Sequence, residues 1–244
     1  MTPLPLVNAG TLTVGVDASP PPPMHMGDPD TPGFTGFEVD LVQAIAAELS
    51  VGVRYEVALW RDMLPALLAG RMDLVCTAAT ISPERRHAFA FGTPYLDIRL
   101  AIVAKAGGPI GASGDLRGRR IGVRVATTAA EWVERHSGAR EIDLFDLNTD
   151  VYAALATGRI DAAVDDSPIA GWFAQQNSAL KMADVIASTD AQYAMMFGPG
   201  NGVLRDAVDA ALARIKADDR FARIRARWFA DRDAVGTRRT GIES

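Results

Sequence analysis

Strand-like and helix-like segments alternate along the whole chain, and its second half echoes its first. In one half a helical stretch closes in Ala69-Gly70 and runs into Arg71-Met72-Asp73 and an apolar strand; in the other, Thr157-Gly158 precedes Arg159-Ile160-Asp161 and another apolar strand. Such an echo marks two related units, and the alternation points to an α/β architecture rather than a bundle or a sandwich. At 244 residues the chain can hold two lobes of about 120 residues, each with its own core.

In the first half, Leu12–Val16 reads as a strand, Phe37–Leu49 as an amphipathic helix, Val53–Ala58 as a strand, Arg61–Ala69 as a helix stopped by Gly70, and Met72–Cys76 as a strand. The loop from Pro20 to Asp30 holds a run of prolines with Met24 and His25, and it can form neither element. Its place after a strand makes it a candidate pocket rim. Ile98–Ala104 is β-branched and long enough to leave one lobe and enter another. The second half then reads as a strand over Ile121–Val125, a turn at Ala126-Thr127-Thr128 and a helix through Arg135. A strand near Ile142–Phe145, a helix over Asp150–Ala156 and a strand over Ile160–Val164 follow. A strand-like return at Tyr193–Phe197 precedes helices over Val203–Lys216 and Phe221–Phe229, and the tail from Gly236 to Ser244 reads as frayed.

The segment from Thr80 to Arg85 carries the clearest chemistry. Ser82 reads as an N-cap, Pro83 as the first helical residue and Glu84 as a first-turn acid, which places Arg85 at a helix start just after a strand. A guanidinium there offers a planar fork of donors, and the helix N-terminus adds free N–H groups and positive potential. The position suits an anionic group; the alternative is a surface pair with Glu84 or Asp97.

Composition excludes other classes. A net charge of -5 argues against a nucleic-acid partner, which needs a basic face. No apolar run approaches the ~18 residues of a membrane span. Cys76 is the only cysteine, so no intramolecular disulfide or cysteine-based metal site is expected, and it reads as a buried small hydrophobe. His25, His87 and His136 lack metal-ligand spacing, and no glycine-rich phosphate loop follows a strand, so no metal or cofactor is expected. No basic-plus-apolar leader precedes the first strand, so a secretory signal is expected to be removed or absent.

Taken together, the segments Gly10–Asp17, Gly36–Leu41, Trp60 with Leu64–Leu67, Thr80–Arg85, Phe91–Tyr95, Asp115–Gly118, Asp161–Asp166 and Ile224–Phe229 resemble bacterial extracellular solute-binding proteins of the polar-amino-acid type, partners of ABC importers. The resemblance implies two α/β lobes joined by two crossing strands near Ile98-Arg99 and Gln192-Tyr193, with a ligand cleft closed by hinge motion. It implies lobe 1 from residues 1–98 and 192–244, and lobe 2 from residues 99–191. It further implies a monomer in the periplasm or outside the cell, lipid-anchored or free, that binds a small zwitterion and delivers it to a permease.

Residue by residue, the resemblance assigns the ligand's α-carboxylate to Arg85 and Thr80 from the first lobe and to Thr128, with Thr127 secondary, from the second. Asp166 would take the α-ammonium, with Asp165 beside it pointing the other way. Trp60 would wall the ligand's side chain, a core position being the alternative, and Asp17 would meet its distal end or instead cap the local loop. An aromatic usual in the Pro20–Met26 region is absent; Met24, and with it His25, is a candidate for the pocket, a solvent-facing His25 being the alternative. Ala126 stands where a glycine is usual. Two other classes stay open: a cyclohexadienyl-dehydratase-like enzyme, for which no glutamate near Asp166 offers a general acid, and a ligand-sensing receptor domain.

Overall fold

In the computed structural model, which describes residues 3–229, two five-stranded sheets are joined by a two-stranded ribbon. The first sheet has the order β2 (Gly52–Ala58), β1 (Thr11–Asp17), β3 (Leu74–Val75), β12 (Met196–Phe197) and β4 (Ala90–Phe91). β1 runs parallel to β2 and β3, while β12 is antiparallel to β3 and β4. The second sheet has the order β10 (Leu180–Val185), β6 (Leu100–Lys105), β9 (Ala162–Asp166), β7 (Arg120–Arg124) and β8 (Glu141–Phe145). β7 is parallel to β8 and β9, and β6 is antiparallel to β9 and β10. The ribbon pairs β5 (Leu96–Ile98) with β11 (Ala191–Tyr193).

Each sheet is covered on both faces, giving two three-layer lobes. On the first, α1 (Phe37–Leu49), α7 (Gly202–Ala217) and α8 (Arg220–Phe229) bury one face around Phe37, Leu41, Ile45 and Phe197, and α2 (Trp60–Leu68) covers the other through Met63 and Leu67. On the second, α4 (Thr128–His136) packs Ala129 and Val133 on Ile121 and Val164. Across that sheet, α5 (Asn148–Thr157) and α6 (Ser167–Gln176) pack Val151, Leu155 and Ala170 on Val103 and Ala163. A buried aliphatic or aromatic side chain of this kind contributes about 1.5–3 kcal/mol, so each lobe holds a core of its own.

The internal echo is a structural repeat. In the first lobe the Asp73 carboxylate accepts from Thr13 N at 2.7 Å, and Met72 lies against Gly15, where an added Cβ would sit 2.4 Å from Met72 Sδ. In the second, the Asp161 carboxylate accepts from Arg120 N at 2.8 Å, and Ile160 lies 2.3 Å from a Cβ built on Gly122. The glycines of β1 and β7 therefore serve one purpose: they admit the side chain that follows the preceding helix.

Several boundaries differ from the sequence reading for identifiable reasons. The run Ile98–Ala104 is broken at Arg99, whose backbone turns to Ser167, donating to its Oγ at 3.3 Å and accepting from its N at 2.7 Å, so it splits into β5 and β6. β9 begins at Ala162 and extends to Asp166, because β6 pairs with it as far as Leu100↔Asp166. The strand expected over Met72–Cys76 is reduced to Leu74–Val75. Helix α6 and strand β10, unmarked in the sequence reading, complete the second lobe. The tail expected to fray, Gly236–Ser244, lies outside the described residues.

Candidate functional site

The two lobes meet along the carboxyl ends of their central strands, where open α/β sheets place their ligands. Asp17 ends β1, Arg124 ends β7 and Asp166 ends β9; Thr77 and Thr80 follow β3. Their side chains border a gap that encloses about 40 Å³, room for a few waters.

Arg85 sits on the first turn of α3 (Pro83–Ala88), whose N-cap Ser82 accepts from Arg85 N at 3.2 Å. Its guanidinium donates to Thr80 O at 2.8 Å and to Ala126 O, on the opposite lobe, at 3.3 Å. It also lies over the Trp60 ring, 4.7 Å from the centroid. Burial lowers its pKa and the nearby Asp166 charge opposes that shift. Trp60, the first residue of α2, donates from Nε1 to the same Ala126 carbonyl at 2.8 Å. Ala126 reaches this position in the left-handed region, with φ 58°, a conformation costly for a residue with a Cβ.

Asp166 is buried at the start of α6. Its Oδ2 accepts from Tyr193 Oη at 2.7 Å and Thr80 Oγ1 at 3.4 Å, and its Oδ1 has no partner. Burial raises its pKa, while Tyr193, Arg85 and Thr80 pull it down. Asp165, paired within β9 beside Asp166, borders the gap too, so the expectation that it points the other way does not hold. Its carboxylate accepts from Tyr152 Oη at 3.1 Å, and burial beside Asp166 pushes its pKa up to about 7.

Thr127 and Thr128 start α4. The Thr127 hydroxyl caps the helix, accepting from Ala130 N at 3.1 Å and donating to Arg124 O at 2.8 Å. Thr128, the first helical residue, borders the gap with the helix N-terminus, whose N–H groups have no partner inside the helix. Asp17 is held by Ser19 N at 2.9 Å and forms an ion pair with Arg124 at 2.7 Å across the lobes. Burial raises the Asp17 pKa and Arg124 opposes the rise.

The proline-rich loop contributes Pro21 to the gap, but Met24 is a correction to the sequence reading. Its side chain is fully buried in the core around Phe37 and Tyr193 and does not border the gap. The loop folds back onto α1, with Phe37 N donating to Pro23 O and Glu38 N to Met24 O, so the apolar side chain turns inward. His25 is not solvent-facing either: it is 1% exposed, its Nε2 lies 3.0 Å from Thr77 Oγ1, and burial lowers its pKa to about 4.

Arg124, Asn148, Thr77 and Tyr193 border or buttress the gap without having been singled out in the sequence. Arg124 had a signal: the repeat lays Gly122-Val123-Arg124 over Gly15-Val16-Asp17. Asn148 opens α5, and its backbone N–H donates to Ser19 Oγ of the other lobe at 3.0 Å, yet neither polar atom of its buried amide has a partner. No local pattern marks it.

The family described as bacterial extracellular solute-binding proteins, family 3, matches residues 12–231. The chain is 31% identical over 227 residues to the L-cystine-binding protein TcyJ of Escherichia coli (strain K12), covering 90% of this chain and 83% of that protein. An ancestral arginine-binding protein bound to arginine superposes with a TM-score of 0.84 at 31% identity, covering 90% of this chain and 98% of that one. An ancestral amino acid-binding protein, a precursor of cyclohexadienyl dehydratase, gives a TM-score of 0.83 at 30% identity over 90% and 96% of the two chains. Agreement of this extent in sequence and in fold leaves one assignment: the chain belongs to the bacterial extracellular solute-binding proteins of family 3.

Proposed function

We propose that this protein binds an amino acid or a close analogue outside the cytoplasm, closes its lobes over it and delivers it to an ABC importer. The observation that carries the reading is that Arg85 of the first lobe and Asp166 of the second border one gap, with Asp166 Oδ1 lacking a partner. A ligand carboxylate takes the place of the Ala126 carbonyl on Arg85, joined by Thr80, Thr128 and the N-terminus of α4, with Thr127 holding the turn. The ligand's ammonium pairs with Asp166, relieving a buried charge that is otherwise only partly compensated. Trp60 walls the side chain and Asp17 lies at its far end. The lobes are divided at residues 98/99 and 191/192, so that β5 and β11 form the hinge. Opening there admits ligand, and contacts made only on closing shift the population to the closed state.

The protein acts as a monomer in the periplasm or at the cell surface, through binding alone and without chemistry. Titration calorimetry with a panel of amino acids tests this. We expect at least one to bind, and Arg85→Ala to weaken it by at least about thirtyfold, the equivalent of about 2 kcal/mol. An unchanged circular dichroism spectrum checks that the variant folds. Binding unaffected by Arg85→Ala, or aromatic product formed from prephenate or arogenate, overturns the reading.

A further inference from the structure

The gap holds two oppositely charged pairs, set in opposite senses. Arg85 comes from the first lobe and faces Asp166 of the second; Asp17 comes from the first lobe and meets Arg124 of the second. The second pair is enclosed: the Asp17 side chain is 2% exposed and that of Arg124 10%. Beside it stands the Asn148 amide, buried, with a donor and an acceptor both unmade.

A ligand that ends in a lone cation is poorly served by this end of the gap. To reach Asp17 it must displace Arg124, leaving a buried guanidinium held only by the Asp146 carbonyl on its Nε, without a carboxylate partner and beside a second positive charge, which acts against such a ligand. A lone anion meets the converse difficulty at Asp17. A group that carries both charges replaces both partners at once, its carboxylate taking Arg124 and its ammonium taking Asp17. The Asn148 amide can then donate to the one and accept from the other.

Resting on the amino-acid reading above, we propose that the preferred ligand is a two-headed amino acid, with an α-amino-acid zwitterion at each end, and that Asp17, Arg124 and Asn148 form the subsite for the second head. Arg85 and Asp166 hold the first head, and the mirrored order of charges across the lobes matches a molecule whose two ends are alike.

Calorimetry on the full chain tests this with L-cystine, L-cystathionine and meso-diaminopimelate as two-headed probes, against L-arginine, L-lysine and L-glutamine as single-headed ones. We expect at least one two-headed probe to bind about tenfold or more tightly than every single-headed one. Arg124→Met should weaken that probe by at least about tenfold, change L-glutamine by less than about threefold, and strengthen L-arginine and L-lysine, whose cations then reach Asp17 without displacing a guanidinium. L-arginine, L-lysine or L-glutamine binding within about tenfold of the tightest two-headed probe overturns the subsite, and so does an Arg124→Met variant that weakens all ligands alike. Failure of every amino acid to bind would instead overturn the amino-acid reading itself. The wild-type panel decides the matter even if the variant does not fold.

Discussion

Glu38 shows how burial alone sets a residue's chemistry. It is 1% exposed, its carboxylate accepts from Tyr95 Oη and from Ala78 N, and burial pushes its pKa from 4.5 up to about 7. The folded state therefore keeps a proton that the unfolded state gives up. The contribution to stability is present in full below pH ~4.5 and is lost as pH rises through about 7. His25, lowered to about 4, acts in the opposite sense, costing stability as pH falls from ~6.5 towards 4. We expect Glu38→Gln to flatten the fall in urea midpoint between pH 5 and pH 8, a difference of at most a few kcal/mol; parallel profiles would refute it. At the cleft, Asp166 must be ionised to take an ammonium and its pKa is raised, so ligand affinity should weaken on acidification. Arg85 stood out because it sits at a capped helix start just after a strand, whereas Asp166 was singled out only through the family resemblance. Asn148 carried no such signal, and Arg124 only the one that the repeat gives, since their importance lies in what faces them from the other lobe. Met24 misled because a residue in a rim loop is free to turn inward.

At the scale of elements, the caps and periodicities were readable and the lengths were not. Phe37–Leu49 forms the helix expected from its apolar spacing, but α6 follows a strand end whose two aspartates also suit a turn, and its start depends on β6 carrying β9 to its last residue. The repeat offers a sharper test. A Cβ on Gly122 meets Ile160 Cδ1 at 2.3 Å, with Phe145 and Val151 behind it at 3.2 and 3.4 Å, whereas a Cβ on Gly15 meets the flexible thioether of Met72. Gly122→Ala should therefore cost about 1–3 kcal/mol in chemical denaturation, and Gly15→Ala less. Adding Ile160→Val should recover part of the Gly122→Ala loss; strictly additive effects would show that the two side chains do not share this space.

Among the described residues, the contacts that join the lobes over the gap include the Asp17–Arg124 pair, the bonds of Trp60 and Arg85 to Ala126 O, those of Thr80 and Tyr193 to Asp166, Asn148 N on Ser19, and an exposed Arg61–Asp146 pair at 2.6 Å. Asp166 Oδ1 and both polar atoms of the Asn148 amide lack a protein partner when the lobes meet, each at a cost of about 1–3 kcal/mol. We expect the ligand-free protein in solution to sample an opened form, so that saturating ligand lowers its radius of gyration in X-ray scattering and raises its melting temperature. No change in either would count against hinge closure. Removing the exposed pair with Arg61→Ala should alter affinity by less than about fivefold. By itself the sequence determined what is local: the α/β alternation, the repeated Gly-Arg-x-Asp units, and the helix start that presents Arg85. Only the tertiary structure decided that Arg124 answers Asp17, that the Asn148 amide is enclosed without a partner, and that Met24 belongs to the core. Those facts depend on which strand ends come together across the gap, and no pattern along a single segment records that.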